Sequence, residues 1–315
     1  MRRTLLIVAG IVVGVLLTGV GLWVDPAHTA DPTPAAAAQT DPAAHPKSTA
    51  PAAAPSGTPP APSEPPATSR TTVPTPGPAP LADRAVHGAL GAVVGGRVGL
   101  AVYDLRTDTL LADSGAQRVF PTESVVKLLI ALDALDRGDS ADLVAEMLSR
   151  SDDRTATRLW DLGGGPRIVS RMARRLGLAH TTPPRLGYMW GDTRTTASDL
   201  ITLYRYLLHA APAGDADVIF TALSNATRLG ADGFYQYFGI PDAAGDRAWA
   251  VKQGWACCRP DRALHTTGIV DGRYLIVVLT THPPQTSWAT AERQLTTLVT
   301  RLLRHLPPIG AGARK

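Results

Sequence analysis

The hydrophobic period changes twice along this chain, and that order restricts the fold more than any other feature. Arg97 to Tyr103 and Thr109 to Asp113 are rich in apolar and β-branched residues around a short polar break, Arg106-Thr107-Asp108, which reads as two strands and a turn. Val125 to Leu135, Thr155 to Leu162, Arg167 to Leu176 and Ala197 to His209 then carry apolar residues three and four apart, the helical period. Strand character returns at Trp249 to Gln253, His265 to Asp271 and Tyr274 to Thr281, the last two joined by the strong hairpin signal Asp271-Gly272. An amphipathic helix from Thr290 to Leu303 closes the pattern. Strands at both ends with helices between them predict an α+β fold: one mostly antiparallel sheet, built from both ends of the domain and covered by helices.

What precedes this region cannot join its core. From Asp25 to Ala82 the sequence is Pro, Ala, Thr and Ser with almost no large apolar residue, too little to offset the entropy of ordering, so residues 25–82 read as an extended, disordered tether. Ahead of it Arg2 and Arg3 precede an uncharged run from Leu5 to Val24, long enough at helical rise to cross a bilayer core of roughly 30 Å. Residues 1–24 are thus expected to form a transmembrane signal anchor, single-pass, with the domain on the extracytoplasmic side. A cleaved signal peptide, leaving a secreted protein, is the other reading. No Cys follows the run closely enough to accept a lipid there. The folded domain is expected at residues 83–306, followed by a tail at 307–315. With 44% hydrophobic residues, a net charge of +4 and arginines scattered rather than gathered into a stripe, the chain is not read as a nucleic-acid binder.

The chain has only 4 lysines against 27 arginines, and two of the four, Lys127 and Lys252, fall in the expected domain. Arg stays protonated, whereas a desolvated Lys can act as a base, so the lysines mark chemistry. In Ser124-Val125-Val126-Lys127 the hydroxyl and the amine are three residues apart and share a helix face, the arrangement that turns a serine into a nucleophile. Taken alone, Ser124 reads better as a helix cap with an exposed Lys behind it. Ser151-Asp152-Asp153 follows at the mouth of the next helix, and Lys252-Gln253-Gly254 lies on a late strand.

In order and pattern these three boxes resemble the S-x-x-K, S-D-N and K-T-G set of class A β-lactamases and penicillin-binding proteins. Phe120-Pro121-Thr122-Glu123-Ser124 is similar to their approach to the nucleophile, Ser151 through Ala156 to their S-D-N-x-x-A helix entry, Gly191 through Thr196 to the end of their Ω-loop, and Val277 through Thr281 to their last strand. The resemblance implies a β-lactamase/transpeptidase-like fold without metal or cofactor. It implies acylation at Ser124 by β-lactams or by D-alanyl-D-alanine ends of peptidoglycan stem peptides. Lys127 would be the base or proton relay, Ser151 would pass the proton to the leaving nitrogen, and Lys252 would supply positive potential. Asp153, Gln253, Gly254 and Trp255 would bind substrate, with the backbone N–H groups of Ser124 and Trp255 forming the oxyanion hole.

The departures qualify that reading. Asp153 replaces an Asn, so an acceptor-only carboxylate stands beside Lys127 and is expected to raise its pKa. Gln253 replaces a Thr or Ser and removes a hydroxyl. No Glu occurs between Glu146 and Glu292, so the Ω-loop base that frees the acyl-enzyme is missing, and slow deacylation is expected. Asp192 lies at the wrong end of the loop, and Glu123, next to the nucleophile on a helix, is expected to point a quarter-turn away. The alternative is an inactive penicillin-fold domain that binds cell-wall peptide or a protein partner. Cys257-Cys258 stands open between a strained ring and two free thiols, because adjacent Cα atoms lie about 3.8 Å apart across a trans peptide. Trp190 and Trp249 read as packing residues, and Arg259 and Arg262 are both candidates to hold a substrate carboxylate.

Overall fold

The computed structural model describes residues 80–307; the expected membrane helix, nearly all of the tether and nearly all of the tail lie outside the described residues. In chain order α1 (Asp83–Leu90), β1 (Arg97–Asp104), β2 (Thr109–Ser114) and the short β3 (Phe120–Pro121) lead to a 3₁₀ turn at Glu123–Val126. Next come α2 (Lys127–Asp136), α3 (Ala141–Ser149), α4 (Asp153–Leu162), α5 (Pro166–Leu176), β4 (Arg194–Thr195), α6 (Ala197–His209), α7 (Ala213–Ser224) and α8 (Ile240–Ala244). The chain closes with β5 (Trp249–Ala256), β6 (Arg262–Val270), β7 (Tyr274–His282) and α9 (Trp288–Leu303). Among the described residues no helix is long and apolar enough to cross a membrane.

The main sheet runs β2-β1-β7-β6-β5, and every neighbouring pair is antiparallel. Both ends of the domain therefore meet in its middle, where β1 pairs β7 in unbroken register from Arg97 with Thr281 to Asp104 with Tyr274. The β6–β7 turn is tight, with Val270 paired to Tyr274 across three residues, because Asp271 and Gly272 both adopt positive φ, 55° and 62°. Alternate residues of the strands face two separate cores. Ala101, Leu275, Val277 and Leu279 pack with α2 to α7, whereas Leu100, Val102, Ile276 and Val278 pack with α1, α8 and α9. Every residue of β6 and β7 is consequently buried. The other helices whose period is legible in sequence form within a few residues of the expected bounds, whereas α1, α3, α7 and α8 are additional, being short or weakly periodic.

Helix α2 is buried from Lys127 to Ala134, as an almost uniformly apolar helix must be. Its one buried carboxylate, Asp133, is neutralised by Arg137 and Arg171. Strand β5 lies at the sheet edge, held close to β6 by Gly268: a Cβ at that position would stand 2.1 Å from the Ala250 carbonyl oxygen. Gly268 pairs with Val251, the neighbour of Lys252, so the approach also sets where the amine sits. Gly268→Ala is expected to cost about 2 to 3 kcal/mol through overpacking against backbone that cannot yield locally, measured by urea unfolding; a cost under about 0.5 kcal/mol would show that β5 has slack.

Candidate active site

The turn bearing Ser124 is held from two sides. Strand β3 pairs β4, and the Thr122 N–H donates to the Thr193 carbonyl at 2.7 Å. On the other side His265 of β6 donates from Nε2 to the Pro121 carbonyl at 2.8 Å. Its Nδ1 accepts from the Thr280 N–H at 3.2 Å, so the tautomer is fixed by its partners. Burial holds this imidazole neutral, its pKa pushed down to about 4. Glu123 then reverses the chain at a φ of 47°, and Ser124 sits inside the 3₁₀ turn. The α-helix begins at Lys127 rather than at Ser124. In a 3₁₀ turn side chains three apart eclipse, which brings the amine over the hydroxyl more directly than an α-helix would.

The sequence boxes converge on one cluster. Lys127 Nζ lies 2.8 Å from Ser124 Oγ, 2.9 Å from the Ser151 carbonyl, 3.1 Å from Ser151 Oγ and 2.5 Å from Asp153 Oδ1. Lys252 Nζ reaches Ser151 Oγ at 3.0 Å and the Gln253 carbonyl at 3.1 Å. Both amines are buried, and Ser151, at a φ of 51°, stands between them at the mouth of α4. Asp152 caps that helix, its Oδ1 accepting from the Thr155 N–H at 2.6 Å, which leaves Asp153 free to face Lys127.

Hydrogen-bond accounting admits a neutral Lys127. The Ser151 carbonyl and the Asp153 carboxylate can only accept, so they use two N–H groups and leave a lone pair available to the Ser124 hydroxyl. Burial lowers the Lys127 pKa below its ordinary value, although Asp153 opposes the shift. The ion pair expected from sequence is present, but desolvation outweighs it. Lys252 is lowered further, by burial and by the charge of Lys127.

A cavity of about 530 Å³ opens at Ser124 and Asp153. Gly254 allows β5 to approach the Ser124 turn, since a Cβ there would stand 2.9 Å from the Thr122 carbonyl. Trp255 lines the cavity, stacked on Phe234 with ring centroids 4.9 Å apart and donating to Asp232 at 3.0 Å. Gln253 does not line it: its amide donates to the Gln236 and Phe238 carbonyls at 2.9 and 2.6 Å, so the side chain pins the preceding loop. Trp190, read as packing, instead lies over Lys127 with its ring centroid 4.8 Å from Nζ and lines the same cavity. Trp249 does pack, against Tyr237. Arg262 is committed to the Thr286 and Pro284 carbonyls, so of the two candidate arginines only Arg259 borders the cavity. Cys257 and Cys258 are joined to each other, and Cys257 is part of the wall. Asp232, Phe234 and Trp288 carried no sequence signal, because their loops meet the cleft only through the tertiary fold.

The description "Beta-lactamase enzyme family" matches residues 139–303. A protein of Mycobacterium tuberculosis (strain ATCC 25618 / H37Rv) described as "Putative lipoprotein LppW" is 36% identical over 234 residues, covering 70% of this chain and 72% of its own. The Mycobacterium bovis protein of the same description shows the same identity and coverage. Among solved structures, a beta-lactamase from Chitinophaga pinensis has a TM-score of 0.59 at 17% identity, covering 71% of this chain and 98% of its own. A PBP-A mutant in acyl-enzyme complex with penicillin G has a TM-score of 0.59 at 18% identity, covering 73% and 100%. These two likenesses bear on the fold alone. The chain belongs to the beta-lactamase enzyme family, a class of serine-hydrolase-like enzymes.

Glu123 departs from the sequence expectation. Because it precedes the helix at a positive φ, the quarter-turn argument does not apply, and the residue borders the cleft beside Ser124. Gly191 makes room for its carboxyl, as a Cβ there would stand 3.1 Å from Oε2. Burial pushes the Glu123 pKa up to about 7; Arg259 opposes the shift and Asp192 adds to it. A carboxyl raised in the folded state contributes stability that is fully present below its unfolded value near 4.5 and lost as pH rises through 7. Glu123→Gln is therefore expected to gain up to about 3 kcal/mol over the native chain at pH 8 and little at pH 4.5. Urea unfolding at both values checks this, and a pH-independent difference would refute the buried carboxyl.

Proposed function

We propose that this protein is a serine acyl-transfer enzyme that forms a covalent intermediate at Ser124 with β-lactams or D-alanyl-D-alanine peptides and releases it slowly. The observation that carries the reading is the buried Lys127 amine 2.8 Å from the Ser124 hydroxyl, with two acceptor-only partners fixing its N–H groups. Neutral Lys127 takes the Ser124 proton as the oxygen attacks the carbonyl carbon. The oxyanion is assigned to the backbone N–H groups of Ser124 and Trp255. Ser151, within reach of both amines, returns a proton to the leaving nitrogen as that bond breaks. A neutral Lys127 removes one of the two causes that lower Lys252, burial being the larger, and Lys252 is assigned to supply positive potential toward the incoming carboxylate. Arg259 is the second candidate for that carboxylate, whereas Gln253 acts through the loop it pins.

Slow release follows from what surrounds Ser124. The Ω-loop offers no Glu, and Asp192, its only acidic residue, pairs with Arg259 at 3.0 Å and borders a neighbouring cavity instead. We place the domain on the extracytoplasmic side of a membrane, through the N-terminal apolar run; the mycobacterial relative described as a lipoprotein supports an envelope location. A domain that binds cell-wall peptide without turnover is the second reading, favoured by the inward-turned Gln253.

Incubation with a fluorescent penicillin, followed by intact mass, is expected to give one stable adduct that is absent in Ser124→Ala. Lys127→Ala should slow its formation by about 10² to 10⁴. Rapid turnover without an adduct would contradict slow release, and neither adduct nor turnover would establish the binding reading. Asp153 opposes the lowering of Lys127, so removing its charge lowers the amine further. The pH at which acylation reaches half its plateau should accordingly fall by about one unit or more in Asp153→Asn, read from stopped-flow rates between pH 5 and 9; a rise would mean that Lys127 is not the base.

A further inference from the structure

A second cavity of about 1030 Å³ adjoins the nucleophile cleft. The two share Glu123, Ala256, Cys257 and Arg259, so the Arg259–Asp192 ion pair and the cysteine link form the partition between them. Four guanidinium groups line the larger space: Arg97, Arg185, Arg194 and Arg259. Arg259 is matched by Asp192, but among the described residues Arg97, Arg185 and Arg194 form no ion pair. Arg97 is nevertheless fixed, its Nε donating to Thr281 Oγ1 at 3.2 Å and its guanidinium lying over the Phe120 ring at 5.6 Å. The acidic members of the wall are Asp192, already paired, Asp261, and Glu123, whose burial keeps its proton up to about 7. The cavity therefore holds more cationic than anionic charge, close to the reacting serine.

Size and lining narrow the occupant. Small-molecule pockets span roughly 300 to 1,000 Å³, so the nucleophile cleft alone suffices for a penicillin and the adjoining space is surplus to it. Guanidinium forks match carboxylates in bidentate geometry. Pro183, Leu186 and Pro260 add apolar surface between the arginines, and Leu186 is 54% exposed. That mixture suits a peptide with spaced carboxylates better than a polyphosphate, which has no apolar atoms to place there.

We propose that this cavity is a binding site for acidic peptides, seating two or more carboxylates on Arg97, Arg185 and Arg194 while another part of the same peptide lies at Ser124. The second half of this statement rests on Ser124 as the acyl acceptor; the first does not. The chain thereby selects an extended anionic substrate, of which a β-lactam occupies only the part nearest the serine.

The test uses the full chain in detergent, with Arg185→Ala/Arg194→Ala as the double variant, because both residues are exposed and neither touches the amine cluster. Two fluorescein-labelled hexapeptides are compared by anisotropy on a Ser124→Ala background, one with two Glu residues and one with Gln in their places. The Glu peptide is expected to bind about tenfold tighter, and the difference should fall to about twofold or less in the arginine variant. With Ser124 restored, the arginine variant should still be acylated by penicillin at the native rate. Equal binding of the two peptides, or a preference that survives loss of both arginines, overturns the proposal. Inorganic polyphosphate binding more tightly than the Glu peptide through the same arginines overturns the choice of ligand. Because binding is read without Ser124, a chain that never acylates can still pass this test, and a chain that acylates can still fail it.

Discussion

Two buried amines around one serine hydroxyl are the constraint on which the rest of the site depends. Taking an ammonium out of water costs several kcal/mol even after relaxation, and the cluster contains two, with a single carboxylate in direct contact. The cost is contained by sharing. Ser151 touches both amines, Asp153 compensates one, and one of the two can give up its proton. Each partner comes from a different element: Lys127 begins α2, Ser151 and Asp153 stand at the mouth of α4, and Lys252 lies on β5. If any of the three shifted by an ångström, a buried polar group would be left unmatched. The chemistry and the packing of the helical layer on the sheet are therefore one requirement.

That requirement is met by backbone as much as by side chains. Glu123 and Ser151 take positive φ although neither is glycine, at the two places where a turn must aim a hydroxyl into the cluster. Gly254 and Gly268 let β5 press against the nucleophile turn on one side and against β6 on the other. His265 completes the scaffold. Its neutral ring ties Pro121 to β7, so the strand that delivers Ser124 is anchored to the sheet centre by a group that stays uncharged down to about pH 4.

The sheet, its hairpin and the longer helices were legible because each carries a full period of apolar residues or a turn signal such as Asp271-Gly272. Helices α3 and α7 were not, α3 being short and the apolar residues of α7 being spread around its circumference rather than along one face. At the site, Lys127 and Lys252 stood out because lysine is scarce, Ser124 because it lies three residues before Lys127, and Ser151 through the resemblance of its box to the family's S-D-N. Orientation was the blind spot. Gln253 and Trp190 each exchanged roles with expectation, as the face a side chain takes at a strand end or in a loop depends on packing that no local pattern encodes. Glu123 was misjudged for a definite reason: a helical angle was applied to a residue that precedes the helix. The arginine-lined cavity was invisible, being assembled from positions as distant as Arg97 and Arg259.

The substitutions that separate this chain from its family's pattern all fall around Ser124. Asp153 in place of an amide holds Lys127 by charge, which steadies the base but opposes its deprotonation. Gln253 gives up a hydroxyl and spends its amide on the Gln236 and Phe238 carbonyls, which stiffens the loop leading to Trp255 and Phe234. The Ω-loop offers no Glu to activate water, and Asp192 is drawn to Arg259 at the partition between the two cavities. Under the proposed reading the changes bear on different steps: Asp153 opposes the deprotonation of Lys127, whereas the missing Ω-loop carboxylate bears on the step in which water would cleave an acyl-enzyme. A site of this kind gains little from rapid destruction of a small lactam. Under the proposed reading, the arginine-lined cavity beside the serine would keep an anionic donor in place while the ester persists.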